Sequence, residues 1–179
     1  MKQLFPVAMM ALLISFSSCG KKGMSDELKG KLHSFETDWK ATGESLANFG
    51  TTMNSTFASM DDMMKDKNTM DHAGMAADKM AVMEELHNSC SNIEGKMEMV
   101  RTAYTSTMTG FTDDEAAYRE WKTKVQKHEI KEGDAEAGIN DFQVKLQAYK
   151  DNLDAWGNLV TELNNKCTEN CKAMDALMQ

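Results

Sequence analysis

Cys167 and Cys171 stand one helical turn apart near the end of this 179-residue chain, a spacing that puts both sulfurs on one helix face. Two thiols so placed are soft ligands of the kind Cu(I) selects, the more so with thioethers and an imidazole at hand. Methionine supplies the thioethers, 17 of them. Met53, Met60, Met64, Met83, Met97 and Met174 fall on apolar helical stripes, where Met is adaptable core filling. Met63, Met70, Met75, Met99 and Met178 fall off those stripes, and His72 lies between Met70 and Met75. The metal ligands expected on this chemistry are Met60, Met64, Met70, His72, Met75, Cys167 and Cys171, with copper as the cofactor. The competing expectation is no cofactor, only a packed bundle tip that carries two free thiols.

The other early signal is N-terminal. Lys2 is followed by an apolar stretch from Leu4 to Phe16, too short to span a bilayer, and then by Ser17, Ser18 and Cys19. This run resembles the lipobox of bacterial lipoproteins, in the Ser-Ser-Cys-Gly form common in Bacteroidota. Phe16 stands where that motif usually has Leu. The resemblance implies cleavage before Cys19 and acylation of that residue. Residues 1–18 are then a signal peptide, 19–24 an acylated cysteine with a short linker, and 25–179 a helical bundle domain. It also implies a lipid-anchored protein of the bacterial envelope with the lipid bilayer as its first partner. Lys21-Lys22, in place of the acidic run associated with surface export in Bacteroidota lipoproteins, points to the outer membrane facing the periplasm. A second resemblance covers six residues: Met70-Asp71-His72-Ala73-Gly74-Met75 is similar to the Met-Asp-His-x-x-Met units of bacterial copper-resistance proteins, which repeat many times there and occur once here.

The elements that must position these residues are helices. Pro6 is the only proline, and the rest is rich in Lys, Glu, Ala and Met, an all-α composition. Apolar residues recur at steps of three and four through Leu28, Leu32, Phe35, Trp39, Leu46, Phe49, Met53, Phe57, Met60 and Met64. A second stripe runs Met83, Leu86, Cys90, Ile93, Met97, Val100 and Tyr104. A third runs from Ile139 through Phe142, Leu146, Tyr149, Leu153, Trp156, Val160, Leu163 and Cys167 to Met174 and Leu177. Gly110 followed by the capping-box spacing Thr112 to Glu115 predicts a break, and Gly133-Asp134 predicts another. The expectation is an elongated antiparallel bundle of three long helices plus one shorter helix, over residues 25–67, 71–109, 113–131 and 135–177.

A turn near Lys67-Asn68 would place Leu46 against Cys90, Trp39 against Met97 and Leu32 against Tyr104. Met60 and Met64 would then meet Ala76 and His72 at the membrane-distal tip. The shorter helix is expected to cross the base, either with Trp121 and Val125 closing the core or with its basic face on anionic headgroups. On that path Cys90 lies level with Asp154. Cys90 approaches Cys171 only if the shorter helix instead prolongs the second as one rod, an arrangement that would dissolve the membrane-distal tip site and leave the interaction-protein reading alone. Three cysteines beyond Cys19 leave either one bridge and a free thiol or three unbridged thiols.

Charge disfavours nucleic acid, since the chain carries a net −8 and phosphates would repel it. Glu84-x-x-His87 has no second copy, as a di-iron bundle would need. No Cys-x-x-Cys-His and no Gly-x-Ser-x-Gly occurs. The expected function is therefore that of a membrane-anchored, non-enzymatic envelope lipoprotein, a structural or protein-interaction module with an envelope protein as partner. The alternative is a periplasmic Cu(I) buffer or chaperone.

Overall fold

A computed structural model describes residues 24–68 and 74–179. Three helices pack together: α1 Asp26–Asn68, α2 Ala77–Gln126 and α3 Glu132–Leu177. At 1.5 Å per residue they are about 65–75 Å long. Among the described residues no helix is long and apolar enough to cross a membrane. α2 runs antiparallel to both neighbours, so α1 and α3 lie parallel. At one end the Ser25 backbone N–H donates to Glu132 Oε1 at 3.2 Å, and at the other Lys67 pairs with Asp175 at 2.5 Å. The stripes face inward as expected, with only Phe49, Leu86, Tyr104, Phe142, Leu153, Trp156 and Leu177 half-buried.

The shorter fourth helix is absent. Residues 113–126 continue α2 without interruption, straight through Gly110 and the Thr112–Glu115 box. The Thr112 hydroxyl donates to the Met108 carbonyl one turn back at 2.9 Å, and Glu115 pairs with Arg119 at 2.6 Å. An interior glycine weakens a helix by about 1 kcal/mol. Against this, continuation buries Phe111, whose ring stacks on Trp39 at 4.6 Å, and Tyr118, whose ring packs tilted against Phe35 at 4.7 Å. Burying one such ring is worth about 1.5–3 kcal/mol, so the rod wins. Trp121 packs on Tyr118 and Phe142 and so joins the core at the base. Gly133 is no stop either, because it lies in the first turn of α3. The real stop is His128, whose φ of 58° is left-handed. Its N–H donates to the Val125 carbonyl and the Glu129 N–H to the Lys124 carbonyl, the Schellman pattern with histidine in the position glycine usually takes.

The register also differs. Trp39 faces Phe111 instead of Met97, and the Leu46 carbonyl accepts from the Tyr104 hydroxyl instead of facing Cys90. Both pairings move by 14 residues along α2, two heptads, so the stripes match equally well in either arrangement. Glycines decide between them. Gly43 lies under Phe111, Gly50 under Tyr104, Gly138 under Trp121 and Gly110 beside the Tyr149 hydroxyl. The Tyr104 and Trp121 rings occupy the space a Cβ would take at Gly50 and Gly138, Phe111 crowds it at Gly43, and the Tyr149 hydroxyl is in ordinary contact with it at Gly110.

The core falls into two clusters along the rod. The half near Ser25 is aromatic, with Phe35, Trp39, Phe111, Tyr118 and Tyr149. The half near the α1–α2 link is rich in sulfur. Trp156 packs against both. Beside the aromatic half, Asp114 accepts from the Tyr149 hydroxyl at 2.7 Å and pairs with Lys145 at 2.5 Å. Burial opposes ionisation of this carboxyl, yet the Lys145 and Tyr149 hydrogen bonds and the Lys145 charge outweigh it and hold its pKa below the ordinary value. A depressed carboxylate stabilises the fold above its unfolded pKa, and that contribution is lost as pH falls through the folded pKa. Acid titration of urea stability is therefore expected to fall less steeply in Asp114→Asn than in wild type; parallel curves would show that the carboxylate is not coupled to folding.

Candidate functional site

The shifted register assembles the sulfur-rich half. Cys90, Cys167 and Cys171 are all unbridged and buried in one cluster with Met53, Met60, Met64, Met83, Met97 and Met174. Each reaches it from a different part of the fold. The Cys167 thiol on α3 points at the Met60 carbonyl of α1, with sulfur and oxygen 4.0 Å apart. Cys171 is one turn further on, level with Met64, as the Lys67–Asp175 pair just beyond confirms for this parallel pair. Cys90 enters from α2. It accepts from the Asn170 side-chain amide at 3.8 Å, and the same amide donates to Ser89 Oγ at 2.9 Å. Cys90 is therefore beside Cys171 and not level with Asp154, because α2 continues as a rod and α3 starts from its far end.

The sulfurs sense one another. Burial pushes the Cys167 thiol up to about 12, and the neighbouring Cys171, Cys90 and Asp61 reinforce the shift. Burial likewise raises the Cys90 thiol, partly offset by the Asn170 hydrogen bond. Cys90 and Cys167 are both held as neutral thiols at physiological pH. A proton on such a sulfur is displaced by a soft cation or by oxidation, and free thiolate is scarce.

Of the expected ligands, Met60, Met64, Cys167 and Cys171 share this cluster, and half-buried Met75 packs against its edge. Met70, His72 and Cys19 lie outside the described residues. The assembly belongs to the bundle core, with Met64 level with Cys90, so the register expected to gather a membrane-distal tip site, with Cys90 level with Asp154, does not hold. Cys90 and Asn170 are the residues that sequence reasoning did not place here. Asn170 was legible, lying three residues after Cys167 on the third stripe. Among the described residues no three His, Cys, Asp or Glu side chains stand at metal-ligand spacing. A metal here would have to use thioethers. No known protein family, no curated protein and no solved structure matches this chain.

Proposed function

We propose that this protein is a membrane-anchored envelope lipoprotein, a non-enzymatic helical rod that serves as a structural or protein-interaction module on the outer membrane facing the periplasm. The observation that supports this reading is where the chain enters the bundle. Ser25 is tied to Glu132 at the end of the rod that also carries the α2–α3 turn. Four residues lie between Cys19 and Met24, and the five steps of chain reach at most about 18 Å. An acyl anchor on Cys19 would hold that end at the bilayer, and the rod would project its sulfur-rich end some 65 Å away. The long sides offer polar surface with scattered apolar side chains, Met99 and Val144 being the most exposed at 71% and 72%.

Cys19→Ser should lose its lipid and move from the detergent phase to the aqueous phase on phase separation. A variant that stays in the detergent phase to the wild-type extent would remove the anchor from this reading. For the interaction role, photo-crosslinking residues at positions 99 and 144, introduced in intact cells, are expected to give a discrete protein adduct from at least one face. Only diffuse or self-crosslinked products would leave the module without a partner and count against it.

A further inference from the structure

Two thiols one turn apart, with thioethers level with them on the neighbouring helix, form a ligand set whose chemistry is specific. Cys167 and Cys171 are both buried in the same core cluster, and the Cys167 sulfur lies 4.0 Å from the Met60 carbonyl oxygen. Met60 and Met64 lie beside them on α1, both fully buried. We propose that Cys167 and Cys171 bind one Cu(I) ion between their sulfurs, with a thioether from Met60 or Met64 completing the shell. Two thiolates and a thioether are all soft donors, and Cu(I) accepts low coordination numbers of such ligands where harder divalent ions prefer oxygen and imidazole.

The chemistry is ligand exchange without redox. Two S–H bonds break, two thiolate S–Cu bonds and one dative thioether S–Cu bond form, and two protons leave for solvent. Two neutral thiols are replaced by a centre bearing one negative charge. Recruiting Cys90 as a third thiolate would raise that to two in an apolar core, a much larger desolvation penalty. Asn170 already engages the Cys90 sulfur. Cys90 is therefore a neighbour and not a ligand.

Access is short. Cys171 lies six residues before Leu177, so about 9 Å of helix separates it from the end of α3. That end is held by the Lys67–Asp175 pair and by Lys79, which donates to the Leu177 carbonyl at 2.9 Å. Fraying of the last turns opens a path to the sulfurs without unfolding the aromatic half.

The test is a competition titration of the full-length protein, reduced and anaerobic in detergent, against a chromophoric Cu(I) chelator. The folded wild type should withdraw one ion per chain, and X-ray absorption should show sulfur-only coordination. Cys167→Ala/Cys171→Ala should abolish the withdrawal, while Cys90→Ala retains it. Circular dichroism monitors the fold of each variant, and Cys171→Ala alone replaces the double variant should that one fail to fold. The proposal is overturned if the folded wild type withdraws nothing, if the double variant still competes, or if Cys90→Ala loses binding. It is equally overturned if mass spectrometry finds Cys167 or Cys171 in a disulfide in protein taken directly from the envelope.

Discussion

Trp39→Ala is expected to destabilise the bundle by about 3–5 kcal/mol, the range for removing a buried indole. Trp39 is the centre of the aromatic half. Its ring stacks on Phe111 at 4.6 Å, meets Tyr149 edge-on at 6.1 Å and lies 5.3 Å from Phe35 on the same helix. Truncation would leave those three rings facing a void that straight helices close poorly. One term acts the other way. The buried indole N–H finds no acceptor among the described residues, and an unpaired buried donor costs about 1–3 kcal/mol. Removing it recovers part of the loss, so the lower half of the range is the better expectation. A domain of ordinary stability has only about 5–15 kcal/mol in total, so urea unfolding should shift visibly to lower midpoint. Lys150→Ala is the control. Its 4.0 Å pair with Asp38 is exposed, and its removal should change stability by less than about 0.5 kcal/mol. Equal small effects from both substitutions would mean that the aromatic cluster is not a close-packed core.

Gly50→Ala is expected to cost about 1–2 kcal/mol, although the same change at an open helical position such as Gly95 is expected to stabilise. A Cβ at Gly50 would lie 2.5 Å from Tyr104 Cζ and closer still to the hydroxyl oxygen. The ring cannot easily swing aside. Its hydroxyl donates to the Leu46 carbonyl at 3.2 Å, and its faces meet Phe49 at 5.8 Å and Trp156 at 6.2 Å. Overpacking of this kind costs about 1–3 kcal/mol, and the gain of about 1 kcal/mol in helix propensity offsets only part of it. Nothing lies within 4 Å of a Cβ at Gly95. Gly95→Ala should therefore stabilise by about 0.5–1 kcal/mol, since only the backbone term remains. Adding Tyr104→Ala to Gly50→Ala should cost less than Tyr104→Ala does alone in wild type, a non-additivity that marks direct contact. Additive effects, or a stabilising Gly50→Ala, would place the ring and the glycine apart.

Those glycines also explain what was legible. The helical stripes, the all-α class and most of the buried positions follow from composition and a step of three or four residues, because burial of one face is a local property of a helix. Register is not local. A stripe that repeats every seven residues matches its partner equally well after a slide of two heptads, so periodicity alone could not separate Trp39–Met97 from Trp39–Phe111. Steric fit between rings and glycines on different helices made the choice. Breaks in a helix share this limit. Gly110 and the Thr112–Glu115 spacing are real local signals, yet the rings of Phe111 and Tyr118 find Trp39 and Phe35 only if the helix continues. The candidate site inherited both decisions. Cys167 and Cys171 share a face by spacing alone, and Met60 and Met64 lie on the first stripe by spacing alone. That they meet, and that Cys90 and Asn170 join them, depends on a continuous α2 and a register set by aromatic packing two to six turns away. Tertiary contact decided it because those sulfurs are far apart in sequence, and no periodic signal reaches across three helices.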